Sequence, residues 1–397
     1  GFALTAYPVG VERGYVSREA VARRVGRTLE FLWSAPQHGR TRGASGYRGF
    51  FYHFLDMGEG RRYESVELSS IDTALLMAGV LTCMQYFDRD AESERRIRSL
   101  ADSLYRRVDW NWMQPRPPLV GMGWTPEDGF LDYDYEGYNE AMILYILALG
   151  SPTHPIDTSA WPAYVSTYEW AEFYGQEHVN FAPLFGHQYS HVWIDFREIQ
   201  DPYMREKGLT YFENSERAVR AQRAYAIENP NDWKGYGPRL WGLTASDGPA
   251  DTTIVTEPGG SRTFHTYWAR GAAAGDVRDD GTIAPTAAAG SLPFAPDLVV
   301  PTLETMRKRY GDRLWDEYGF RDAFNPTFTF GDGAAATGDV RPERGWVDEE
   351  YLGIDQGPIV AMLENHRTGL IWRLMRENPY VRRGLRRAGF DGGWLAE

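Results

Sequence analysis

The sequence predicts an all-α fold of the α/α toroid type. About a dozen segments carry a helical pattern, and almost wholly apolar segments alternate with amphipathic ones, as inner and outer helices would. Long stretches rich in Gly and Pro separate these segments. Strand patterns are too few for a βα barrel, and the lack of a fixed-period repeat argues against a solenoid. Because no stretch resembles a linker, we expect one domain over residues 1–397.

The helices of the first half are marked by caps and by apolar spacing. Residues 17–34 begin at the candidate N-cap Ser17 and place apolar side chains at helical intervals. Residues 69–81 begin with two serines and continue almost wholly apolar, which predicts a helix buried on most of its surface. Residues 91–108 are charged on one face, and residues 139–149 are again nearly all apolar.

The second half contains three more helical patterns and the longest loops. Residues 216–227 are amphipathic, residues 355–376 are long and mixed, and residues 379–388 form the last helix. The Gly- and Pro-rich stretches 247–262 and 270–296 are expected to cover the open end of the toroid. Functional residues tend to collect on such loops.

A Gly-, Arg- and aromatic-rich stretch at residues 43–60 interrupts the helical pattern. Within it, residues 49–54 are the best strand candidate in the chain. We expect a short β-hairpin or an ordered loop there.

Aromatic residues are abundant and the net charge is strongly negative. The chain has 14 Trp, 24 Tyr and 19 Phe and a formal net charge of −13. Aromatic faces beside polar side chains are typical of sugar-binding clefts, although large helical cores use aromatics as well. The negative charge argues against a nucleic-acid partner, because such binding depends on Lys and Arg. No apolar run approaches the length of a membrane span, so we expect none.

Cys83 is the one cysteine of the chain, so an internal disulfide is excluded. It lies in an apolar helical pattern, which favours a buried structural thiol over a nucleophile.

The stretch 184–197 combines imidazoles, a carboxylate and aromatic rings. A helix from about residue 188 would place His187, His191 and Asp195 four residues apart, near one face. Such a face suits the wall of a wet pocket. The alternative is that these groups are satisfied polar residues of the core, which fasten one helix to its neighbours.

Carboxylates collect at the predicted helix starts, which would converge on one mouth of a toroid. Two acids across a cleft are the minimum for glycosidic hydrolysis, one donating a proton and the other activating water or attacking carbon. Burial raises the pKa of a carboxyl more than a helix dipole lowers it, so the donor should pack among aromatics. Glu136 and Glu140 meet this condition, and Glu213 is the other candidate. Any one of these acids is more simply explained as a helix cap, but their large number at the helix starts indicates a catalytic site. The acids are Glu67, Asp72, Asp132, Asp134, Glu136, Glu140, Glu206, Glu213 and Asp355.

Several long motifs, in order along nearly the whole chain, resemble the glucoamylase-like family. This family includes the bacterial endo-β-1,2-glucanases of glycoside hydrolase family 144 and the C-terminal domain of cyclic β-1,2-glucan synthases. The motifs are GFFYHFLD (49–56), GYNEA (137–141), GSPTHP (150–155), FGHQYSH (185–191), YFENS (211–215) and LGIDQGP (352–358).

The resemblance implies an (α/α)6 barrel and hydrolysis of a β-1,2-linked glucan between two acidic side chains. The substrate would be linear β-1,2-glucan or a sophoro-oligosaccharide, with no metal or other cofactor. The family's acids lie in the segments matching 132–140 and the region after the FGHQYSH motif. We place Glu140 and Glu213 first, Glu136 second and Glu206 third. The family is expected to invert the anomeric configuration, with carboxyls about 6.5–9.5 Å apart or a relay through a substrate hydroxyl.

The predicted sugar-binding residues fall into two chemical groups. Aromatic rings would stack on glucose, although each ring alone is more often part of a core. Polar side chains would discriminate hydroxyls through hydrogen bonds. The ring candidates are Trp124, Tyr189, Trp193, Tyr211 and Trp233, and the polar candidates are His187, Gln188, His191, Asp195 and Arg197.

Location follows from the same resemblance. The sequence begins with Gly1 instead of Met, which is compatible with a removed leader. We expect a periplasmic or secreted protein, with the cytoplasm as the alternative.

Other functions stay open from the sequence. A metal hydrolase would use His187, His191 and Asp195, but residues i and i+8 lie about 12 Å apart along a helix, too far to share an ion. An epimerase or lyase would use His187 or His191 as its base. The remaining alternatives are an exo enzyme that releases sophorose, a β-1,2-glucan transglycosylase and a glucan-binding protein without catalysis.

Overall fold

A computed structural model describes residues 1–256, 260–330 and 334–396. The described α-helices are α1 Phe2–Glu12, α2 Arg18–Ser34, α3 Ser70–Tyr86, α4 Glu92–Arg107, α5 Met142–Gly150, α6 Ala160–Val165, α7 Tyr189–Trp193, α8 Pro202–Lys207, α9 Tyr211–Glu228, α10 Pro285–Ala289, α11 Pro296–Leu314, α12 Gly353–Thr368, α13 Leu370–Arg376, α14 Pro379–Arg387 and α15 Gly393–Ala396, with a 3-10 helix at Leu184–His187.

The strands are short and lie between the helices. They are β1 Gly46–Tyr47, β2 Phe50–Phe51, β3 Leu68–Ser69, β4 Val120–Gly121, β5 Gly123–Thr125, β6 Gly129–Phe130, β7 Asp134–Tyr135, β8 Trp170–Phe173, β9 Gln176–Val179, β10 Ala245–Ser246, β11 Thr252–Thr256, β12 Gly260–Phe264, β13 Trp268–Ala269, β14 Gly271–Ala273, β15 Asp276–Arg278, β16 Trp315–Asp316, β17 Gly319–Phe320, β18 Phe324–Asn325, β19 Asp339–Arg341 and β20 Gly345–Val347. They pair in antiparallel sheets of two or three strands.

The described chain is thus richer in helix than in strand, as predicted, but it contains many more short strands than the one predicted hairpin. Within the described ranges, no helix is both long enough and apolar enough to cross a bilayer.

Contacts between residues divide the chain into two compact units. Unit 1 comprises the described residues within 1–168, 190–211 and 368–397, and unit 2 those within 169–189 and 212–367. The single domain over residues 1–397 stays a prediction.

Two predicted helices of unit 1 begin at the predicted caps. The Ser17 hydroxyl accepts a hydrogen bond from the Ala20 N–H at 3.2 Å, and α2 follows. The Ser69 hydroxyl accepts from the Asp72 N–H at 3.1 Å, and α3 follows. Such bonds satisfy backbone donors that a helix leaves unpaired at its start. Both helix starts are confirmed.

Helix α5 is buried over its whole length and packs closely on α14 through two glycines. A Cβ atom at Gly150 would lie 2.2 Å from the Tyr380 carbonyl oxygen, and one at Gly384 would lie 1.9 Å from that of Ile146. Any larger residue would push the two backbones apart. This contact fixes α5, whose N-terminal end carries Glu140.

The predicted hairpin at residues 43–60 is confirmed. Strands β1 and β2 pair with Tyr47 opposite Phe50. The turn residues Arg48 and Gly49 have φ of 52° and 87°, as a two-residue hairpin turn with both central residues left-handed requires.

Other boundaries differ from the predictions. The helix predicted over 355–376 is broken at Gly369, whose φ of 66° ends α12 before α13 begins. The stretch 247–262 contains part of the β11–β12 hairpin, whose residues 257–259 lie outside the described chain. The stretch 270–296 contains the β14–β15 hairpin and α10. Helices α1 and α11 were not predicted.

Candidate active site

Glu140 lies in unit 1, in the turn immediately before α5. The Asn139 side chain holds this turn, because its Oδ1 accepts from the Ala141 N–H at 2.9 Å and its Nδ2 donates to the Glu136 carbonyl at 3.1 Å. The Ser190 hydroxyl donates to the Glu140 carbonyl at 2.9 Å. The Glu140 backbone is therefore fixed by groups on both sides.

The Glu140 side chain is half-buried and readily protonated. Burial raises the pKa of its carboxyl to about 7, and the negative charge of Asp72 adds to the rise. Hydrogen bonds from its own backbone N–H and from the Tyr135 hydroxyl oppose this rise. A carboxylic acid with a pKa near neutrality is suited to donate a proton and to exchange it with solvent.

An acidic pair around His53 adjoins Glu140 in the same unit. The Ser69 hydroxyl donates to Asp72 Oδ2 at 2.6 Å, which orients this carboxylate at the start of α3. His53 Nδ1 lies 2.9 Å from Glu67 Oε1, and His53 Nε2 lies 3.5 Å from Asp72 Oδ2.

The His53 contacts separate the protonation states of the acids. The hydrogen bond with Glu67 raises the pKa of His53, and the same bond lowers the pKa of Glu67. Glu67 is therefore ionised at neutral pH, when much of Glu140 is protonated. Carboxyl groups in different protonation states are what acid–base hydrolysis requires.

Two partly exposed aromatic rings of unit 1 lie on segments near these acids in the fold. The Phe54 ring stacks on the His53 imidazole with centroids 4.3 Å apart and is 56% exposed. Trp124 is half-buried against Tyr47, and strand pairing places it opposite Leu68, next to Ser69. The role of Trp124 as a stacking surface stays a prediction, and the exposed Phe54 ring is a further candidate. The sequence argument missed Phe54, although it lies in the GFFYHFLD motif.

Unit 2 contains a second group of acids, the aspartate cluster, made of Asp247, Asp322, Asp348 and Asp355. One carboxylate oxygen from each of the first three lies within 4.8 Å of the others. Asp322 shares a side-chain hydrogen bond with Asp355. Burial raises the pKa of Asp322 to about 6 and that of Asp348 to about 7, and it raises the pKa of Asp355 well above its ordinary value. Asp247, Asp322 and Asp348 were not singled out from the sequence.

The other predicted catalytic acids are exposed. Glu213 lies in the first turn of α9 in unit 2, and Glu136 precedes Glu140 in unit 1. Glu206 lies in the last turn of α8, where its side chain is 79% exposed beside Lys207. The short helix α8 turns Met204 inward and Glu206 outward, and the catalytic role of Glu206 stays a prediction.

The interpretation of His187, His191 and Asp195 as a wet pocket wall is wrong. Helix α7 ends at Trp193, before Asp195, and all three side chains are buried. Burial lowers the pKa of His191 to about 3, so its imidazole is neutral. Asp195 accepts hydrogen bonds from Arg197 at 2.8 and 2.7 Å and from Arg376. His187, His191 and Asp195 are therefore polar residues of the core, which was the alternative interpretation of the sequence.

Most of the remaining predicted binding residues also have core partners. Gln188 donates to the Ala287 carbonyl and to Ser291, both at 2.8 Å. Trp193 donates to Thr5 Oγ1 at 2.9 Å, and the Tyr211 hydroxyl donates to Asp201 at 3.0 Å. The Tyr189 hydroxyl donates to the Ile354 carbonyl at 3.4 Å. The Trp233 ring is buried, and the Arg262 guanidinium lies 4.4 Å from its centre. Sequence spacing did not distinguish these buried rings from exposed ones.

The described residues give no support to a metal site at His187, His191 and Asp195. Among them, the one group of three His, Cys, Asp or Glu side chains close enough to share an ion is Asp247, Asp322 and Asp348.

The family to which this chain belongs follows from its match to the model of a known family. The model of the glucoamylase family named Glycoamylase matches residues 132–379, which include Glu140 and the aspartate cluster. The chain belongs to the Glycoamylase family. The resemblance inferred from the motifs is therefore confirmed.

The names of several relatives of this Glycoamylase member state an activity. The exo β-1,2-glucooligosaccharide sophorohydrolase (non-reducing end) of Parabacteroides distasonis is 30% identical over 420 residues, covering 98% of this chain and 52% of the relative. The chain thus spans about half the length of that curated relative. The endo-β-1,2-glucanase of Chitinophaga pinensis, in complex with sophorotriose and glucose, is 30% identical with a TM-score of 0.82, covering 99% of this chain and 87% of the other. A β-1,2-glucanase structure from Parabacteroides distasonis is 28% identical with a TM-score of 0.80, covering 98% and 54%.

Proposed function

We propose that this protein is a glycoside hydrolase that cleaves β-1,2-glucosidic bonds in linear β-1,2-glucan or sophoro-oligosaccharides. The observation that carries the proposal is the half-buried Glu140 carboxyl, whose pKa is about 7. The same unit contains the acidic residues Glu67 and Asp72 around His53. The activities named for the Glycoamylase relatives support the β-1,2 linkage.

In the proposed reaction Glu140 is the general acid. Its O–H bond breaks as the proton moves to the glycosidic oxygen, and the bond from this oxygen to the anomeric carbon breaks. Asp72, held by Ser69 and next to His53, takes a proton from the water that attacks the anomeric carbon. Glu140 then regains a proton from solvent. This reaction inverts the anomeric configuration.

Trp124 and Phe54 are proposed to stack on glucose rings. Phe54 stacks on His53, which contacts Glu67 and Asp72, and Trp124 lies on β5, which pairs with β3 in the same unit. Aromatic faces bind the C–H surfaces of sugars, whereas carboxylates and imidazoles bind hydroxyls.

A second mode of action is release of sophorose from the non-reducing end. The curated relative at 30% identity is an exo-acting sophorohydrolase, which favours this mode, whereas the Chitinophaga relative is an endo enzyme. Sophorose alone as the early product would indicate exo cleavage. A ladder of oligosaccharides would indicate endo cleavage.

The finer fold is proposed as an (α/α)6 barrel, which the similarity to the β-1,2-glucanase structures supports. A periplasmic or secreted location is likewise proposed from the family resemblance alone.

The test is a time course with purified protein and linear β-1,2-glucan. New reducing ends, products that are sophoro-oligosaccharides and formation of the α-anomer are expected. A β-1,3-glucan serves as the control substrate and should stay intact. Binding of β-1,2-glucan without new reducing ends would reject hydrolysis in favour of a binding protein.

A further inference from the structure

The aspartate cluster of unit 2 is built by the main chain from distant parts of the sequence. Asp247 follows β10, Asp322 precedes β18 and Asp348 follows β20. The Asp247 N–H donates to Asp322 Oδ2 at 2.8 Å. The Asp348 N–H donates to the Ala323 carbonyl at 3.0 Å. These bonds place the three carboxylates beside one another.

Three carboxylate oxygens in this cluster are buried and have no hydrogen-bond partner apart from the bond that Asp355, when protonated, shares with Asp322. They are Asp322 Oδ1, Asp348 Oδ2 and Asp355 Oδ2, on residues that are 1%, 1% and 2% exposed. A buried oxygen without a partner is unfavourable, and a buried charge without one is more so. The arrangement therefore calls for a further group that supplies positive charge.

The guanidinium that acts electrostatically on the cluster is already used elsewhere. Burial raises the pKa of Asp247 and of Asp322, and the positive charge of Arg270 opposes this rise. Both Asp280 oxygens accept from Arg270 at 2.7 Å, in a pair that is almost fully buried. The other Arg270 donors bond backbone carbonyls, among them that of Ser246 at 2.8 Å. One guanidinium committed to Asp280 does not neutralise four further carboxyl groups.

We propose that Asp247, Asp322 and Asp348 bind a divalent cation of the calcium type. Hard oxygen ligands favour Ca²⁺ or Mg²⁺ over zinc or copper. Calcium–oxygen distances are about 2.3–2.6 Å, so two oxygens on opposite sides of one ion lie about 4.6–5.2 Å apart. One carboxylate oxygen from each of the three aspartates lies within 4.8 Å of the other two, which is compatible with one shared ion. Three irregular chain segments suit calcium, which tolerates flexible geometry, better than magnesium.

The bound cation would fasten β10, β18 and β20 within unit 2. Its role is structural and does not depend on the hydrolase proposal. The competing way to neutralise the cluster is protonation, in which case calcium has no effect and Asp→Asn changes stabilise the protein.

The test uses the full chain after removal of divalent ions with EDTA and desalting. Calorimetric titration with CaCl₂ should give one site per chain, and saturation should raise the Tm by several degrees, because a ligand that binds only the folded state stabilises it. Mg²⁺ should bind at least tenfold more weakly.

Two variants identify the ligands. Asp348→Asn should weaken calcium binding at least tenfold, whereas Asp297→Asn, an exposed change in the same unit, should leave it unaltered. If Asp348→Asn does not fold, the wild-type titration still decides. No heat of calcium binding and no Tm shift at millimolar CaCl₂ would overturn the site, as would tighter binding of Mg²⁺ or an Asp348→Asn protein that binds calcium normally.

Discussion

The Tyr135 hydroxyl donates a hydrogen bond to the Glu140 carboxylate, and this bond opposes the effect of burial on the Glu140 pKa. Burial and the charge of Asp72 stabilise the protonated acid, whereas the bond from Tyr135 stabilises the anion. The balance places the pKa at about 7, in the range where one carboxyl both holds and releases a proton in water.

This balance predicts the pH dependence of the wild-type enzyme. If Glu140 must be protonated, kcat/KM for β-1,2-glucan should fall about tenfold per pH unit above about pH 7. Tyr135→Phe removes a bond to the anion, so the falling limb should move to higher pH. Tyr105→Phe is the control, because this buried hydroxyl bonds the Leu147 carbonyl instead. Unchanged limbs in all three proteins would argue against Glu140 as the titrating acid.

Glu140→Gln should increase stability at alkaline pH. The folded-state pKa of about 7 lies above the ordinary value of 4.5, so the free energy of unfolding of the wild type falls as pH rises from about 4.5 to 7. Above pH 7 the full difference corresponds to about 3 kcal/mol, which solvent around this half-buried group reduces to about 1–2 kcal/mol. Urea denaturation at pH 8 should show a more stable variant, and at pH 4 the two proteins should be alike apart from small packing effects. Equal stability at pH 8 would contradict the raised pKa.

Ser69→Ala should lower both stability and turnover. The Ser69 hydroxyl caps α3 and also donates to Asp72 Oδ2 at 2.6 Å. Loss of an N-cap costs about 1 kcal/mol. Ser17→Ala removes the corresponding cap of α2 and should cost a similar amount without affecting kcat. Thermal unfolding and initial rates measure both effects. Equal kcat values for Ser69→Ala and Ser17→Ala would contradict a role of Asp72 in the reaction.

Trp124→Ala should weaken substrate binding. An aromatic contact contributes about 0.5–1.5 kcal/mol, which corresponds to a rise in KM of about 2- to 13-fold. Phe31→Ala removes an exposed ring on α2 and serves as the control. A KM for Trp124→Ala that equals the control value would remove this ring from the sugar site.

The features that the sequence predicted correctly are those set by neighbouring residues. Ser17 and Ser69 mark helix starts because a cap acts over three residues, and the apolar run of α5 implies burial whatever lies around it. The aromatic neighbour Tyr135 of Glu140 is also close in the chain, so the sequence could indicate an acid beside a ring, and the catalytic role of Glu140 stays a prediction.

The features that it did not predict depend on long-range packing. Asp322 and Asp348 meet because β18 and β20 pair with Phe324 opposite Val347. Nothing in strands of two or three residues announces that pairing. His191 has the spacing of a pocket-lining residue, but α7 stops at Trp193 and the imidazole lies in the core. Residue spacing predicts on which face of a helix a side chain lies, but it does not predict what packs against that face.

The assignment of Glu140 as proton donor is tested most directly by a substrate that needs no proton. Glu140→Gln should lower kcat/KM for linear β-1,2-glucan by about 10²–10⁴-fold, the usual contribution of a general acid. On 2,4-dinitrophenyl β-sophoroside, whose leaving group departs as a stable anion, the same variant should keep most of its activity. Glu92→Gln, an exposed change on α4, is the control for both substrates. Equal losses on glucan and on the dinitrophenyl glycoside would contradict the account.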